Sequence, residues 1–223
     1  MLRRGLLALP FGAPAARAAA LVEPELRVAP PGVAVTLDLC PGGFDQRVVA
    51  ALVEAGIRAT FFIAGDWLRQ HGAEMAGLLA RRDLFAFANH GQHHLLAAPG
   101  AGSLFGQRAV ADIEGLRREV LDGAALLAAA TGEMPRWYRG GTGFYSREAL
   151  AFIPTLGCAV AGYSLNADAG ASLPAASVAA RVAGAKPGDV MVAHGNQPRR
   201  PAGAGLVAGL LALRRQGVPF VWL

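Results

Sequence analysis

Residues 33–39 read Val-Ala-Val-Thr-Leu-Asp-Leu, a run rich in β-branched residues with one carboxylate, Asp38, near its end. A strand with one face in water alternates apolar and polar residues, and this run does not. Continuous apolar character is typical of a strand that is buried on both faces, as in a parallel sheet covered by helices. The run therefore predicts the first strand of a parallel α/β fold.

Six further runs follow, and segments with helical periodicity separate them. The predicted strands are 33–39, 59–64, 84–89, 136–139, 158–165, 190–194 and 218–223. The predicted helices are 45–55, 67–81, 109–131, 146–155, 175–185 and 203–216. Four helices are followed by a glycine, which favours the left-handed C-cap. This alternation predicts a single-domain α/β fold, a distorted seven-stranded (β/α) barrel. The chain has neither a G-x-G-x-x-G motif after the first strand nor a P-loop, which disfavours a nucleotide site.

The body of the chain carries little net charge. The formal charge of +5 includes Arg3, Arg4 and Arg17, and without them 18 basic residues face 16 acidic ones. No basic stripe is interleaved with aromatic residues, so we expect no nucleic-acid partner. No segment after the N-terminus has the roughly 20 apolar residues needed to span a bilayer, so we expect no membrane insertion of the mature chain.

The N-terminus begins with a charged Met-Leu-Arg-Arg, continues with a short apolar stretch and reaches the small-residue site Ala16-Arg17-Ala18. This order is typical of a signal peptide and predicts export to the periplasm or the exterior. A cytosolic extension is the alternative. The predicted organisation is a signal peptide, a Pro-rich segment and a barrel domain, at 1–18, 19–32 and 33–223.

The chain has two cysteines. Cys40 follows one predicted strand, whereas Cys158 begins another, which places them at opposite ends of a parallel barrel. We therefore predict two free thiols of the buried kind rather than a disulfide.

Five polar residues close or follow predicted strands: Asp38, His90, Arg139, Asp168 and His194. The carboxyl ends of parallel strands converge on one face of a barrel, where catalytic residues collect. His90 and His94 are four residues apart in Asn-His-Gly-Gln-His-His, so a compact loop could bring both to one metal ion. A hydrogen-bonded loop without metal is the alternative. The pattern favours a metal-assisted hydrolase.

Each polar residue has more than one interpretation. Asp38 is a general base, a metal ligand or a cap for loop amides. Asp45, at the start of a predicted helix, is an ordinary N-cap or a ligand. Arg139 is an inward partner for Asp38 or a surface residue, and Asp168 orients His194 or caps a turn. His194 is a general acid or a hydrogen-bonded core residue.

These residues, in this order, resemble the polysaccharide deacetylases of carbohydrate esterase family 4, over roughly residues 33–223. Thr36-Leu37-Asp38-Leu39 is similar to the family's Thr-Phe-Asp-Asp motif. The other matching segments are Asn89–His94 for the histidine motif, Tyr138–Thr142 for the arginine motif, and those that hold Asp168 and His194.

The resemblance implies a distorted (β/α) barrel that removes N- or O-linked acetyl groups from a carbohydrate. A divalent metal, usually zinc, would activate water against the acetyl carbonyl. By this resemblance the metal ligands are His90 and His94, the base is Asp38 held by Arg139, and the acid is His194 tuned by Asp168.

One departure bears on the metal. The family's second aspartate, a metal ligand, is Leu39 here, so the two histidines fall short of the three protein ligands usual for catalytic zinc. Asp38, Asp45 or His93 could supply the third. Gly91 also replaces a Ser or Thr whose hydroxyl would brace the histidine loop. The alternative function is a non-catalytic carbohydrate-binding or accessory protein with a decayed metal site.

Overall fold

The computed structural model describes residues 21–223, so the predicted signal peptide lies outside the described residues. The strands are β1 Val33–Leu39, β2 Ala59–Ile63, β3 Phe85–Asn89, β4 Leu96–Ala97, β5 Ser103–Leu104, β6 Gln107–Arg108, β7 Trp137–Tyr138, β8 Gly141–Tyr145, β9 Ala159–Val160, β10 Leu165–Asn166, β11 Val190–His194 and β12 Phe220–Val221. The helices are α1 Gln46–Ala55, α2 Gly65–Leu68, α3 Gly72–Leu79, α4 Ile113–Thr131, α5 Arg147–Phe152, α6 Ala175–Ala183 and α7 Ala202–Arg215, with a 3-10 turn at Ile153–Leu156. Across residues 21–223, none of these helices is both long enough and apolar enough to cross a bilayer.

The main sheet is parallel and has the strand order β10-β11-β1-β2-β3-β7-β9, with β12 paired to the start of β1. Strands β9 and β10 lie at opposite edges of this sheet but are consecutive in the chain. The sheet therefore curls until its edges approach each other, and this confirms the predicted distorted (β/α) barrel.

The two faces of the sheet belong to different apolar clusters. On the outer face, Leu39 of β1 shares a cluster with Leu52 of α1 and Leu206 of α7. On the inner face, Phe62 of β2 packs with Ala88 of β3. Each fully buried large apolar side chain stabilises the fold by about 1.5–3 kcal/mol relative to an exposed one. The continuous apolar runs of the sequence are thus explained by burial on both faces.

Helix α1 shows how the sequence sets the ends of an element. The Asp45 carboxylate accepts a hydrogen bond from the backbone N–H of Arg47, and Gly56 ends the helix in the left-handed region with φ 62°. Such an N-cap contributes about 1 kcal/mol. The helix that follows β1 therefore begins and ends where the sequence predicts.

The predicted strand 158–165 is wrong as a single element, because the structure divides it into β9 and β10. Between them the carbonyls of Ala161 and Gly162 accept hydrogen bonds from the Arg139 guanidinium, at 3.4 and 3.2 Å. These acceptors are therefore used by a side chain where a regular strand would continue.

The predicted helix 146–155 becomes α5 followed by the 3-10 turn. Two other predicted helices differ from the observed ones because of a polar side chain. The predicted helix 67–81 is divided into α2 and α3, because the His71 ring stacks on Trp67 at 4.5 Å and its Nδ1 bonds the Trp67 carbonyl. The predicted helix 109–131 begins later, after Asp112, whose carboxylate accepts from the N–H of Gly115. In both cases a polar side chain claims the backbone groups at the boundary.

The described part of the Pro-rich segment lies along the barrel. Val22 and Tyr145 exchange two backbone hydrogen bonds of 2.8 and 2.9 Å, and the N–H of Val28 donates to the carbonyl of Gly188. The segment is therefore attached to both the β8 strand and the loop before β11.

Candidate active site

A cavity of about 760 Å³ opens at the carboxyl ends of the parallel strands. Its lining includes Asp38, Cys40, His94, Arg139 and His194. His90 and Asp168 lie behind this lining and are each 1% exposed. The structure thus brings together the six polar residues that the sequence places at strand ends and in the histidine loop, and it adds a cysteine.

Asp38 and Arg139 form a buried ion pair, with Arg139 Nη1 2.7 Å from Asp38 Oδ1. The same nitrogen donates to Thr36 Oγ1 at 2.9 Å, and the guanidinium carbon lies 4.0 Å from the Phe62 ring centre. Burial raises the pKa of Asp38, but Arg139 and the nearby histidines together lower it by more than burial raises it, so the net pKa is below its usual value. The pair therefore holds an ionised carboxylate at the cavity.

Asp168 binds His194 through both of its oxygens. Oδ1 lies 2.9 Å from His194 Nδ1, and Oδ2 accepts from the His194 backbone N–H at 2.8 Å. These contacts fix the ring and leave Nε2 as the nitrogen that Asp168 does not hold. Burial lowers the pKa of His194, but Asp168 and Cys40 raise it by more, so the pKa is well above the usual value. His194 is therefore able to carry a proton at neutral pH.

His90 and His94 are joined by Cys40 in a buried cluster. One ligand atom of each residue lies within 4.8 Å of the others. Cys40 Sγ is 3.5 Å from His90 Nε2, and the two imidazole rings are 4.6 Å apart. Thiolate sulfur and imidazole nitrogen are ligands that suit zinc. The residues present therefore fit a divalent metal of that type.

The sequence alone did not identify Cys40 as a site residue. Both cysteines are free thiols, as predicted, and Cys40 is the buried one. Burial raises the pKa of Cys40, but His94 and His90 lower it well below the usual value, whereas burial alone raises the pKa of Cys158 to about 11. The available signal was position, since Cys40 follows the strand that carries Asp38.

Of the other residues considered as third ligands, Asp38 approaches the cluster, with Oδ2 3.6 Å from His90 Nε2, whereas Asp45 and His93 lie elsewhere. The Asp45 carboxylate is held by the Arg47 guanidinium at 2.6 and 2.8 Å and caps α1. His93 is exposed and pairs with Asp66 at 3.1 Å. Among the described residues, neither belongs to the Cys-His-His cluster.

Glu119 of α4 braces the histidine loop, a role that the sequence did not reveal. Its carboxylate is 2% exposed and accepts hydrogen bonds from the backbone N–H groups of His93 and Leu95, each at 3.0 Å. Burial raises the pKa of Glu119, and these N–H groups partly offset the rise. Gly91, with φ 80°, leaves the space that the carboxylate occupies. Glu119 therefore supplies the brace that a hydroxyl at residue 91 would have given.

His94 itself adopts the left-handed region, with φ 57°. Residues other than glycine seldom do so, and such backbone strain is concentrated at functional sites. Gly141 makes the conformation possible from the other side, because a β-carbon there would overlap the His94 carbonyl oxygen.

Comparison with family models gives one match, described as polysaccharide deacetylase, over residues 26–161. Comparison with curated proteins gives no match.

Solved structures similar to this chain include a CE4 family pseudoenzyme from Bacillus anthracis, at 18% identity and a TM-score of 0.72, with 87% of this chain and 65% of that chain covered. This chain therefore spans just under two thirds of that protein. A family 4 carbohydrate esterase from Streptomyces lividans, in complex with acetate, has 20% identity and a TM-score of 0.66, with 87% and 93% covered. A family 4 acetyl xylan esterase from Clostridium thermocellum, in complex with a cobalt ion, has 22% identity and a TM-score of 0.67, with 85% and 87% covered. These likenesses show a shared fold.

Proposed function

The chain belongs to the polysaccharide deacetylase family, and from this premise we propose that it is a hydrolase that removes N- or O-linked acetyl groups from a carbohydrate. The observation that carries the proposal is that the buried pair Asp38–Arg139 and the partly buried pair Asp168–His194 meet at one cavity. The two pairs favour opposite protonation states at neutral pH, an ionised Asp38 and a protonated His194. The pKa of Asp38 is lowered and that of His194 is raised, which suits a base and an acid respectively.

Asp38 would act as the general base. Its Oδ1 is held by Arg139, whereas Oδ2 lies 3.6 Å from His90 Nε2, so Oδ2 would accept the proton from the attacking water. Arg139 fixes the carboxylate through a contact that is buried, and this limits the reorganisation needed during proton transfer.

His194 would act as the general acid. With Nδ1 and the backbone N–H both held by Asp168, the proton for the leaving nitrogen or oxygen would come from Nε2. Asp168 is a positioning residue, since it touches the histidine and not the cavity.

His90 and His94 would hold a divalent metal, with zinc as the natural choice for imidazole ligands. Such a metal supplies Lewis-acid activation of water and of the acetyl carbonyl. In His90, Nδ1 donates to the Arg139 carbonyl at 2.7 Å, and in His94 it donates to Gln107 Oε1 at 3.2 Å. Each ring therefore keeps Nε2 free to bind a metal.

Acetate release from acetylated chito-oligosaccharides and acetylated xylo-oligosaccharides tests the proposal. We expect the zinc-loaded protein to release acetate, and Asp38→Asn and His194→Ala to lose about 10²–10⁴-fold in kcat. Asp83→Asn and His93→Ala are matched controls, because both residues are exposed and neither lines the cavity. Full turnover by Asp38→Asn or His194→Ala would contradict the assigned roles.

The alternative is a carbohydrate-binding or accessory protein without catalysis. Leu39 in place of a metal-binding aspartate supports it, as does the likeness to a protein described as a pseudoenzyme. Carbohydrate binding in the same experiment without acetate release would favour this alternative.

The signal-peptide pattern of residues 1–18 supports a location outside the cytoplasm, which also suits a cell-surface polysaccharide as substrate. Fractionation of cells that express the full chain, with and without residues 1–18, tests this. Cytoplasmic retention of the full chain would contradict it.

A further inference from the structure

Side chains along β1 alternate between the two faces of the sheet. Thr36 and Asp38 face inward, where both contact Arg139, while Leu39 lies on the outer face in the helix-covered cluster. Cys40 has the same parity as Asp38 and lines the same cavity. Residue 40, which directly follows β1, is thus the next side chain after Asp38 to reach the site.

Cys40 meets the two histidines inside the barrel. The thiol is 8% exposed, and the two histidines are 1% and 7% exposed. The sulfur is 3.5 Å from His90 Nε2, the nitrogen left free when Nδ1 donates to the Arg139 carbonyl. Zinc–sulfur and zinc–nitrogen bonds are about 2.3 and 2.0 Å long, so ligand atoms this close need only small movements to share one ion.

Three other polar groups near this cluster are already engaged. Arg139 holds Oδ1 of Asp38, whose Oδ2 lies 3.6 Å from His90 Nε2 but outside the three-residue cluster. Arg47 holds the carboxylate of Asp45, and His93 pairs with Asp66 at the surface. No carboxylate or guanidinium holds Cys40, whose polar neighbours are the site histidines, with His90 Nε2 at 3.5 Å.

We propose that Cys40 is the third protein ligand of a Cys-His-His metal centre. Its thiolate would bind the metal in place of a carboxylate at residue 39, where this chain has Leu39. The proposal deepens the proposed function, because it concerns the same cavity, but metal binding is measurable without any substrate. Three protein ligands leave the fourth zinc position open, as in catalytic zinc sites. A sulfur and two imidazoles also favour zinc over magnesium or calcium, which prefer oxygen.

Cobalt(II) titration of the metal-stripped full chain tests the proposal directly. A thiolate bound to cobalt(II) gives a strong charge-transfer absorption in the near ultraviolet, which imidazole and carboxylate ligands do not give. We expect this band in the wild-type protein and in Cys158→Ala, the matched control for the second thiol. We expect its loss in Cys40→Ala and in Cys40→Ser, the closest in shape.

Competition with a chromogenic chelator measures zinc affinity in the same variants. We expect the zinc affinity of Cys40→Ala to fall by more than about 100-fold. Such a fall exceeds the loss that follows when a residue that only contacts a ligand is removed. Cys40→Asp should recover part of the affinity without the charge-transfer band. Equal melting temperatures of the metal-free variants would show that the change lies in binding and not in folding.

A wild-type protein that binds cobalt without the band, or a Cys40→Ala variant with wild-type zinc affinity, would overturn the proposal. Hydrolysis is scored separately. If acetate release depends on His90 and His94 but not on Cys40, the thiolate ligand is wrong and the proposed function stands. If Cys40 binds metal but no acetate is released, the metal centre stands and the proposed function fails.

Discussion

The α-carbon of Gly91 faces the Glu119 carboxylate so closely that a β-carbon at residue 91 would overlap Glu119 Oε1. The same carboxylate accepts the hydrogen bonds of the histidine loop. The glycine between His90 and His94 and a buried acid on α4 therefore form one structural unit.

Introducing a hydroxyl at residue 91 should consequently damage the loop. We expect Gly91→Ser to lower the free energy of unfolding by about 2–4 kcal/mol, from the left-handed φ and the steric overlap together. Urea denaturation of the metal-free protein measures this.

Gly132→Ser is the matched control. Gly132 has φ 81°, almost identical to that of Gly91, but nothing lies within 4 Å of where its β-carbon would be. Gly132→Ser should lower the free energy of unfolding only by the conformational cost of the left-handed φ, about 1–2 kcal/mol. Adding Glu119→Ala should lower the free energy of unfolding less in Gly91→Ser than in Gly132→Ser, because it removes the overlapping carboxylate. Strict additivity of the two substitutions in both backgrounds would refute the overlap.

Removing the Arg139 guanidinium should destabilise the barrel. Arg139→Met leaves the buried Asp38 carboxylate without its counter-ion, which costs about 3–5 kcal/mol. Arg81→Met is the matched control, since the Arg81–Asp83 pair is at the surface, where solvent screens it, and should contribute little to stability.

The cost of Arg139→Met should depend on pH. Because the folded pKa of Asp38 is lowered, the ion pair stabilises the wild-type protein above the unfolded carboxyl pKa, and this contribution is lost as the pH falls through the folded pKa. The unfolding curves of the two proteins should therefore differ at neutral pH and converge at acid pH. A difference independent of pH would argue against the ion pair as its source.

Restoring an aspartate at residue 39 should fail to restore a metal ligand. Leu39 is 0% exposed within the helix-covered cluster, so Leu39→Asp buries a carboxylate among apolar side chains. We expect a loss of about 3–5 kcal/mol and no gain in zinc affinity. Leu39→Met, of similar volume, should cost less than about 1.5 kcal/mol. Tighter zinc binding by a stable Leu39→Asp protein would show that residue 39 reaches the cavity.

On the proposed function, Phe105 would offer an apolar surface to a sugar ring. It lines the cavity, is 77% exposed and lies edge-to-face with Phe144 at 6.0 Å. We expect Phe105→Ala to raise KM about fivefold, equivalent to about 1 kcal/mol, with kcat unchanged. Met134→Ala, at another exposed apolar residue, should change neither. A fall in kcat alone would place Phe105 in the chemistry and not in binding.

The sequence predicted best those elements whose local chemistry is self-sufficient. The bounds of β1 follow from a run buried on both faces, and α1 follows from its own caps, Asp45 and Gly56. The division of 158–165 was not predictable, because its cause is the distant Arg139 guanidinium. The parallel barrel depends mainly on local patterns, whereas its irregularities depend on contacts far apart in the sequence.

The candidate site divides in the same way. Asp38, Arg139 and His194 could be chosen because polar residues at the ends of apolar strands are unusual. Cys40 could not, since a thiol after a strand is equally compatible with an inert buried residue. Glu119 lies within an ordinary amphipathic helix, and only the fold brings it under the histidine loop.

Arg139 serves the two halves of the site with different parts of one residue: its guanidinium holds Asp38, and its backbone carbonyl orients His90. Every amino acid carries that carbonyl. A substitution at residue 139 can therefore remove the guanidinium that holds Asp38 while the backbone carbonyl that orients His90 remains. The two halves can therefore be lost separately during evolution, and a lineage can lose the ion pair yet retain an oriented imidazole.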